Sequence, residues 1–281
     1  MKIDGRIVWV GILAVLAAGC SPSPKITPVK KQAKAAEITI SDALMQFSLV
    51  AALAAGDYDD GIPLRQLLAG GDFGVGTFNN LDGEMIVIEG QIFQALADGS
   101  VRPAHLEGTS PFASVTFFDE DGRLENLAAT SLEDLDTQLD RTLPRRNLPY
   151  AMRIDGEFAE LTLRSVPAQQ APFQPLVEVV KHQATFQPRN VRGTLVGLRC
   201  PAWVGTLNVS GYHWHFLSDD RTQGGHVLAC KFENAALRFD ECSSLVIHLP
   251  QSSEFDKFDE TDIKKNDIDQ IERQRAEPAR Q

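Results

Sequence analysis

The run Ser210-Gly211-Tyr212-His213-Trp214-His215-Phe216 sets two imidazoles two residues apart, and Gly224-Gly225-His226-Val227 supplies a third soon afterwards. In an extended strand alternate side chains share a face, so His213 and His215 point one way while Tyr212, Trp214 and Phe216 point the other and are assigned to packing. The polar stretch from Leu217 to Gly225 ends in two glycines and reads as a turn returning the chain antiparallel, which brings His226 to the same spot. Three neutral imidazoles converging from a sheet are the ligand set of a zinc site with an open coordination position, where a bound oxygen is polarised by a Lewis acid. A lone His-x-His more often marks only the polar face of a strand. Here half of the six histidines fall between positions 213 and 226, which favours the metal. Spacing alone names neither the metal nor the reaction. His105, His182 and His248 have no neighbours of ligand type and stay outside the constellation.

These side chains need a scaffold. Apolar residues recur near helical spacing from Ile38 to Leu53 behind the cap candidate Ser41-Asp42, and a short helix is expected at Pro63–Leu68, ended by Gly70-Gly71. Strands are expected at Phe73–Phe78, Met85–Ile88, Gln91–Ala95 and Ser114–Phe118, with a hairpin turn at Asp98-Gly99. A polar middle, Leu124–Pro149, holds one helix at Ser131–Leu139; two strands, Tyr150–Ile154 and Glu157–Val166, follow around Asp155-Gly156. Leu176–His182 reads as a helix, with strands at Gly193–Leu198, Thr206–Val209, Tyr212–Leu217, His226–Phe232 and Leu245–Leu249. The glycine-punctuated strings near Gly74 and Gly193 echo each other, which suggests a duplicated helix-plus-sheet unit. The expected fold class is α+β, with two mixed, mostly antiparallel sheets and peripheral helices.

The 281 residues are 43% hydrophobic and 23% charged, which is globular composition. A formal charge of -11 with no clustered Lys and Arg argues against a nucleic-acid partner. Lys2 and Arg6 precede the apolar stretch Ile7–Leu16 and the small residues before Cys20, a pattern of an export signal too short for a settled membrane span. Ala17-Ala18-Gly19-Cys20 resembles a bacterial lipobox, with Ala17 where Leu is usual and Leu16 one residue earlier. Residues 1–20 are therefore expected to be a lipoprotein signal peptide, with Cys20 lipidated and 21–37 a Pro-, Lys- and Ala-rich tether. The expected location is outside the cytoplasm, lipid-anchored at the cell envelope. Cys200, Cys230 and Cys242 then form an odd set with no Cys-x-x-Cys spacing, from which no disulfide framework follows. An N-terminal half at 38–172 and a metal-binding half at 173–250 are expected. The charged tail, 251–281, carries isolated Phe255, Phe258, Ile263, Ile268 and Ile271 and reads as a solvated tail or a surface helix able to close over a site.

Several strings occur together and in order: Gly71-Asp72-Phe73-Gly74-Val75-Gly76-Thr77-Phe78, Leu81-Asp82-Gly83-Glu84, Arg153-Ile154-Asp155-Gly156, Val191-Arg192-Gly193-Thr194-Leu195-Val196-Gly197, and the two histidine strings. In this arrangement, over about residues 40 to 250, the chain resembles the alpha-acetolactate decarboxylases. The resemblance implies a zinc enzyme, a homodimer, that converts 2-acetolactate to acetoin and carbon dioxide, with His213, His215 and His226 as metal ligands. It places Glu84 and Arg164 in the site and Thr77 near the substrate. A glutamate from the tail completes the family's site; Glu272 is the nearest match, with Glu260 and Glu277 as alternatives. Loss of carbon dioxide from a ketone beside a tertiary alcohol pushes an electron pair toward the ketone. A metal would stabilise that charge, and an arginine fork suits the substrate carboxylate or the enediolate oxygens. A carboxyl group with a raised pKa, from the pair Glu84 and Glu272, would return a proton to carbon.

Without the resemblance, Glu84 reads as a strand-edge carboxylate beside a turn, Arg164 as a solvent-facing residue opposite Leu161 and Leu163, and Thr77 as a strand former between glycines. Two other readings keep the histidines. A cupin-like oxygenase or isomerase would want a glutamate a few residues after His-x-His, where this chain has Asp219 and Asp220. A non-catalytic metal- or ligand-binding lipoprotein would bind metal without releasing carbon dioxide.

Overall fold

Alternation through Gly211–Ser218 is realised as a strand buried on both faces, because each face meets a different layer of the protein. The computed structural model describes residues 42–259, 261, 263 and 265–272, which belong to one compact unit. The expected signal, tether and lipidated Cys20, the residues before Asp42, and Glu260 and Glu277 lie outside the described residues.

Strands and helices are numbered in chain order. A seven-stranded sheet runs in the order β15 (Ser244–His248), β1 (Ala43–Phe47), β8 (Ala113–Thr116), β3 (Phe73–Thr77), β4 (Glu84–Ile88), β5 (Gln91–Ala95) and β6 (Val101–Pro103). Only the β1–β15 pair in it is parallel. A six-stranded antiparallel sheet contains β11 (Ala184–Phe186), β10 (Tyr150–Ser165), β12 (Arg189–Cys200), β13 (Gly211–Ser218), β14 (Gly224–Glu241) and β9 (Gly122–Ala129). A small pair, β2 (Ile62–Pro63) with β7 (Thr109–Ser110), completes the strands described. In the six-stranded sheet β10 pairs with β12 on one side and β14 on the other, while β13 bridges β12 to the start of β14. Those four strands close on themselves around Phe158, Phe216 and Phe232, whose rings pack edge to face with centroids 5.3 Å apart.

The outer face of β12 and β13 meets the seven-stranded sheet through Val196, Leu198 and Leu217 against Val75, Ile86 and Phe93. Since Leu217 lies on this face, His213 and His215 do too, and the metal candidates sit between the sheets. A third apolar layer gathers α1 (Val50–Ala55), α4 (Leu176–Val179) and α6 (Lys265–Glu272). An eight-residue helix is marginal by itself; Ile268 and Ile271, each 2 % exposed, hold α6 down, at roughly 2 kcal/mol apiece. The helices α2 (Leu64–Leu68), α3 (Leu132–Thr142) and α5 (Ser253–Lys257) complete the set of described α-helices. The α3 N-terminus is fixed by Ser131, whose hydroxyl accepts from the Asp134 amide. Cys200, Cys230 and Cys242 are buried free thiols.

The α+β expectation holds, and several boundaries change. Instead of one helix from Ile38 to Leu53, the described part is β1, a left-handed Ser48 at φ 67°, and α1, because β1 has strand partners on both sides. Asp155-Gly156 makes no turn. Its backbone is clasped between β12 and β14, so β10 runs straight through with a bulge, and a Cβ at Gly156 would meet Ala235 at 2.8 Å. In the polar middle, β9 hid because the left-handed Asn126, φ 57°, breaks its alternation before Leu127. Thr206–Val209 is loop, its Leu207 carbonyl taken by the Val50 amide and by Gln46. The sheets also cross the expected boundary at 172/173, since β9 and β10 pair with the later strands while β15 joins the earlier sheet.

A buried carboxylate away from the histidines carries a stability prediction. Asp240 is 1 % exposed; its Oδ2 accepts from the Asp119 amide and its Oδ1 has no partner. Burial, opposed by that amide and reinforced by Asp121, Asp42 and Asp119, pushes its carboxyl from 3.8 up to about 7. The native state thus binds this proton more tightly than the unfolded chain, and stability is lost as pH rises from 3.8 through about 7. Asp240→Asn should flatten this dependence and raise stability at pH 8 by on the order of 2 kcal/mol. Thermal melts at pH 5 and pH 8 check it; an unchanged or lower melting temperature at pH 8 contradicts it.

Candidate metal centre

The turn between β13 and β14 places His215 directly across from His226 in the ladder, and His213 follows two residues along the same face. The ligand-capable nitrogens of the three lie within 4.8 Å of one another, and all three side chains are buried. His215 donates from Nδ1 to the Met85 carbonyl at 2.7 Å, which leaves its Nε2 lone pair facing inward, 3.1 Å from Nε2 of His213. His226 donates from Nε2 to the Glu272 carbonyl at 3.3 Å, turning Nδ1 inward. These bonds select the tautomers a ligand needs. Burial, helped by the Arg164 charge, pushes His213 down to about 3, and His215 and His226 are pushed well below the ordinary imidazole range. All three imidazoles are therefore neutral and offer lone pairs.

Glu272 and Glu84 bring the carboxylates. The Oε2 of Glu272 lies 3.6 Å from His213 Nε2 and 3.8 Å from His226 Nδ1, buried and without a hydrogen-bond partner. The Oε2 of Glu84, at the start of β4, lies 3.6 Å from His215 Nε2. An orphaned buried carboxylate oxygen beside converging imidazole lone pairs is the environment a divalent cation satisfies. Burial raises Glu84 to about 7, with Arg164 pulling down and Glu272 pushing up; Glu272 is also raised by burial against Arg164.

Arg164 is 4 % exposed, which overturns the solvent-facing reading. It sits near the end of β10 opposite His226, and its Nη1 donates to the Ile271 carbonyl at 2.8 Å and to Gln183 Oε1 at 3.1 Å. Its Nη2 lies 3.9 Å from Glu272 Oε2, while Nε is buried without a partner. Thr77 lines the same cavity, and its hydroxyl donates to the Gly83 carbonyl at 2.8 Å, steadying the turn that delivers Glu84. That turn needs glycine: Gly83 has φ 87°, and a Cβ there would meet the Ala95 carbonyl oxygen at 2.4 Å. The cavity, about 40 Å³, has an apolar wall from Val50, Leu53, Phe112, Leu176 and Val180.

The structure thus brings together His213, His215, His226, Glu84, Arg164, Thr77 and Glu272. Missed from the sequence were Gln183 and the Ile271 carbonyl, which aim Arg164, the Met85 carbonyl, which aims His215, and the apolar wall. A glutamine after a short helix and two backbone carbonyls leave no pattern to read.

The chain matches the family model described as alpha-acetolactate decarboxylase over residues 44–262. It is 40% identical over 233 residues to an alpha-acetolactate decarboxylase of Methanosarcina mazei, covering 83% of this chain and 81% of that protein. To the alpha-acetolactate decarboxylase of Klebsiella aerogenes it is 42% identical over 212 residues, 75% of this chain and 82% of the other. The crystal structure of alpha-acetolactate decarboxylase from Bacillus subtilis strain 168 superposes with a TM-score of 0.79 at 38% identity, covering 82% of this chain and 99% of that one.

Proposed function

The chain belongs to the alpha-acetolactate decarboxylase family and is an acetolactate decarboxylase; we propose that the reaction runs between the sheets, around a zinc ion held by His213, His215 and His226. The convergence of three buried, neutral imidazoles beside an unpartnered carboxylate oxygen carries this reading. A zinc ion bound there would act as a Lewis acid for the negative charge that builds on the ketone oxygen as carbon dioxide leaves.

The remaining roles belong to side chains. Arg164, held at Nη1 by Gln183 and the Ile271 carbonyl, keeps Nε and Nη2 for the substrate's carboxylate or the oxygens of the enediolate. The apolar wall takes the methyl groups and excludes water. Glu84, protonated near neutrality by its burial, delivers a proton from its carboxyl to the carbon that lost carbon dioxide. Glu272 completes the carboxyl pair from the other side. The basic, apolar start of the chain ending at Cys20 supports an exported enzyme with a lipid anchor, and the family resemblance supports a homodimer. The cupin-like and non-catalytic readings find no support in the family match.

Protein incubated with a chelator and desalted should lose nearly all acetoin formation from 2-acetolactate and regain it on addition of zinc. Full activity in metal-stripped protein would overturn the proposal. About one zinc per chain is expected by elemental analysis.

A further inference from the structure

The ladder between β13 and β14 is short. It covers only His215–Leu217 against Gly224–His226. Gly211–Trp214 of β13 makes no ladder with β14, and on the edge that faces β13 the next partner of β14 is β9, reached only at Phe232. A seam therefore opens in the strand ring beside the histidines, and a second cavity of about 40 Å³ occupies it. Leu132 and half-buried Asp136 of α3, Tyr212 and Trp214 of β13, and His226 and Glu272 line it. His226 and Glu272 also line the substrate cavity, so the two spaces share a wall.

The chemistry of this space is polar. The Nε1–H of Trp214 is buried with no acceptor, in a residue only 1 % exposed. The Tyr212 hydroxyl is already donated to Asp140. A buried water needs roughly 10–15 Å³ of such space and two to four polar partners, so the cavity has room for about three waters between Trp214, Asp136 and Glu272.

The reaction of the previous subsection needs such a supply. The acetolactate anion loses neutral carbon dioxide: the carbon–carbon bond breaks, its electron pair passes to the ketone, and a new carbon–hydrogen bond forms with one proton taken from solvent. One proton must enter the buried site in every turnover, and Val50, Leu53, Phe112, Leu176 and Val180 on the wall of the substrate cavity carry no group to relay it.

We propose that the seam between β13 and β14 is a water-filled proton entry to the site, with Asp136 at its mouth and Trp214 Nε1–H anchoring its water. Asp136 and Trp214 are positioning residues that touch neither substrate nor metal. The inference rests on the decarboxylase reading and deepens it.

The test uses the full chain carrying Asp136→Ala or Trp214→Phe, with zinc content, thermal melts and acetolactate kinetics measured beside wild type. Both variants should keep zinc and KM, with kcat lowered by roughly tenfold and a larger solvent deuterium isotope effect. Raising dihydrogen phosphate, a small proton donor, should bring kcat of Asp136→Ala back toward wild type. Wild-type kcat in both variants overturns the proposal, as does a loss that tracks zinc content or that phosphate leaves untouched. A wild-type protein inactive on acetolactate would instead refute the decarboxylase reading itself, and the proton entry with it.

Discussion

A chain carrying His215→Ala should form acetoin at no better than roughly a thousandth of the wild-type rate and purify with little bound zinc. His215 is the most deeply seated of the three imidazoles, between His213 on its own strand and His226 across the ladder. Its removal subtracts one of three ligands and the electrostatic stabilisation, worth several kcal/mol, that a bound cation supplies to developing charge. It also leaves the Met85 carbonyl without its donor, at an expected loss of stability of about 2 kcal/mol. His248→Ala is the control: this ring stacks on Phe47 at 5.0 Å, far from the cluster, and its loss should leave zinc content and turnover unchanged. A His215→Ala protein with full zinc and near-normal kcat would remove the cluster from the mechanism.

Glu84→Gln should separate metal binding from proton transfer. The amide keeps the shape of the side chain and cannot deliver a proton, so zinc content should hold while kcat falls by roughly a hundredfold to ten-thousandfold. The expectation follows from geometry: Glu84 is buried, stands 3.6 Å from His215 Nε2, and is carried by a turn pinned through Gly83 to the Thr77 hydroxyl. KM should change little, because the amide still fills the cavity wall. Single-turnover assays with equal zinc loading decide the matter; a kcat within about threefold of wild type would assign the proton donor elsewhere, with Glu272 the next candidate.

The histidine cluster was legible because it rests on short-range rules. A period of two fixes His213 and His215 on one face, and a polar turn ending in Gly-Gly returns His226 to them. Glu84, Arg164 and Glu272 were legible only through the family resemblance, since their positions depend on how separate layers dock. Nothing local shows that Arg164 turns inward to meet Gln183 and Ile271. Two of the misread elements share one cause: pairing partners distant in sequence overrode local preference. Asp155-Gly156 was straightened by strands on both sides, and residues 43–47 became β1 because β15, from the far end of the chain, lies alongside. The seam beside the histidines was invisible for the same reason, as it lies where β14 has parted from β13 and not yet met β9.

The carbonyl that orients His226 and the carboxylate that faces it both belong to Glu272, 46 residues further along the chain. The last carboxylate of the site, and the bond that sets the His226 tautomer, thus wait on the far end of the fold. Chemical competence arrives with the late helix α6, once Ile268 and Ile271 seat against α1 and α4. A chain cut before α6 should therefore lose acetoin formation even where its strands still fold.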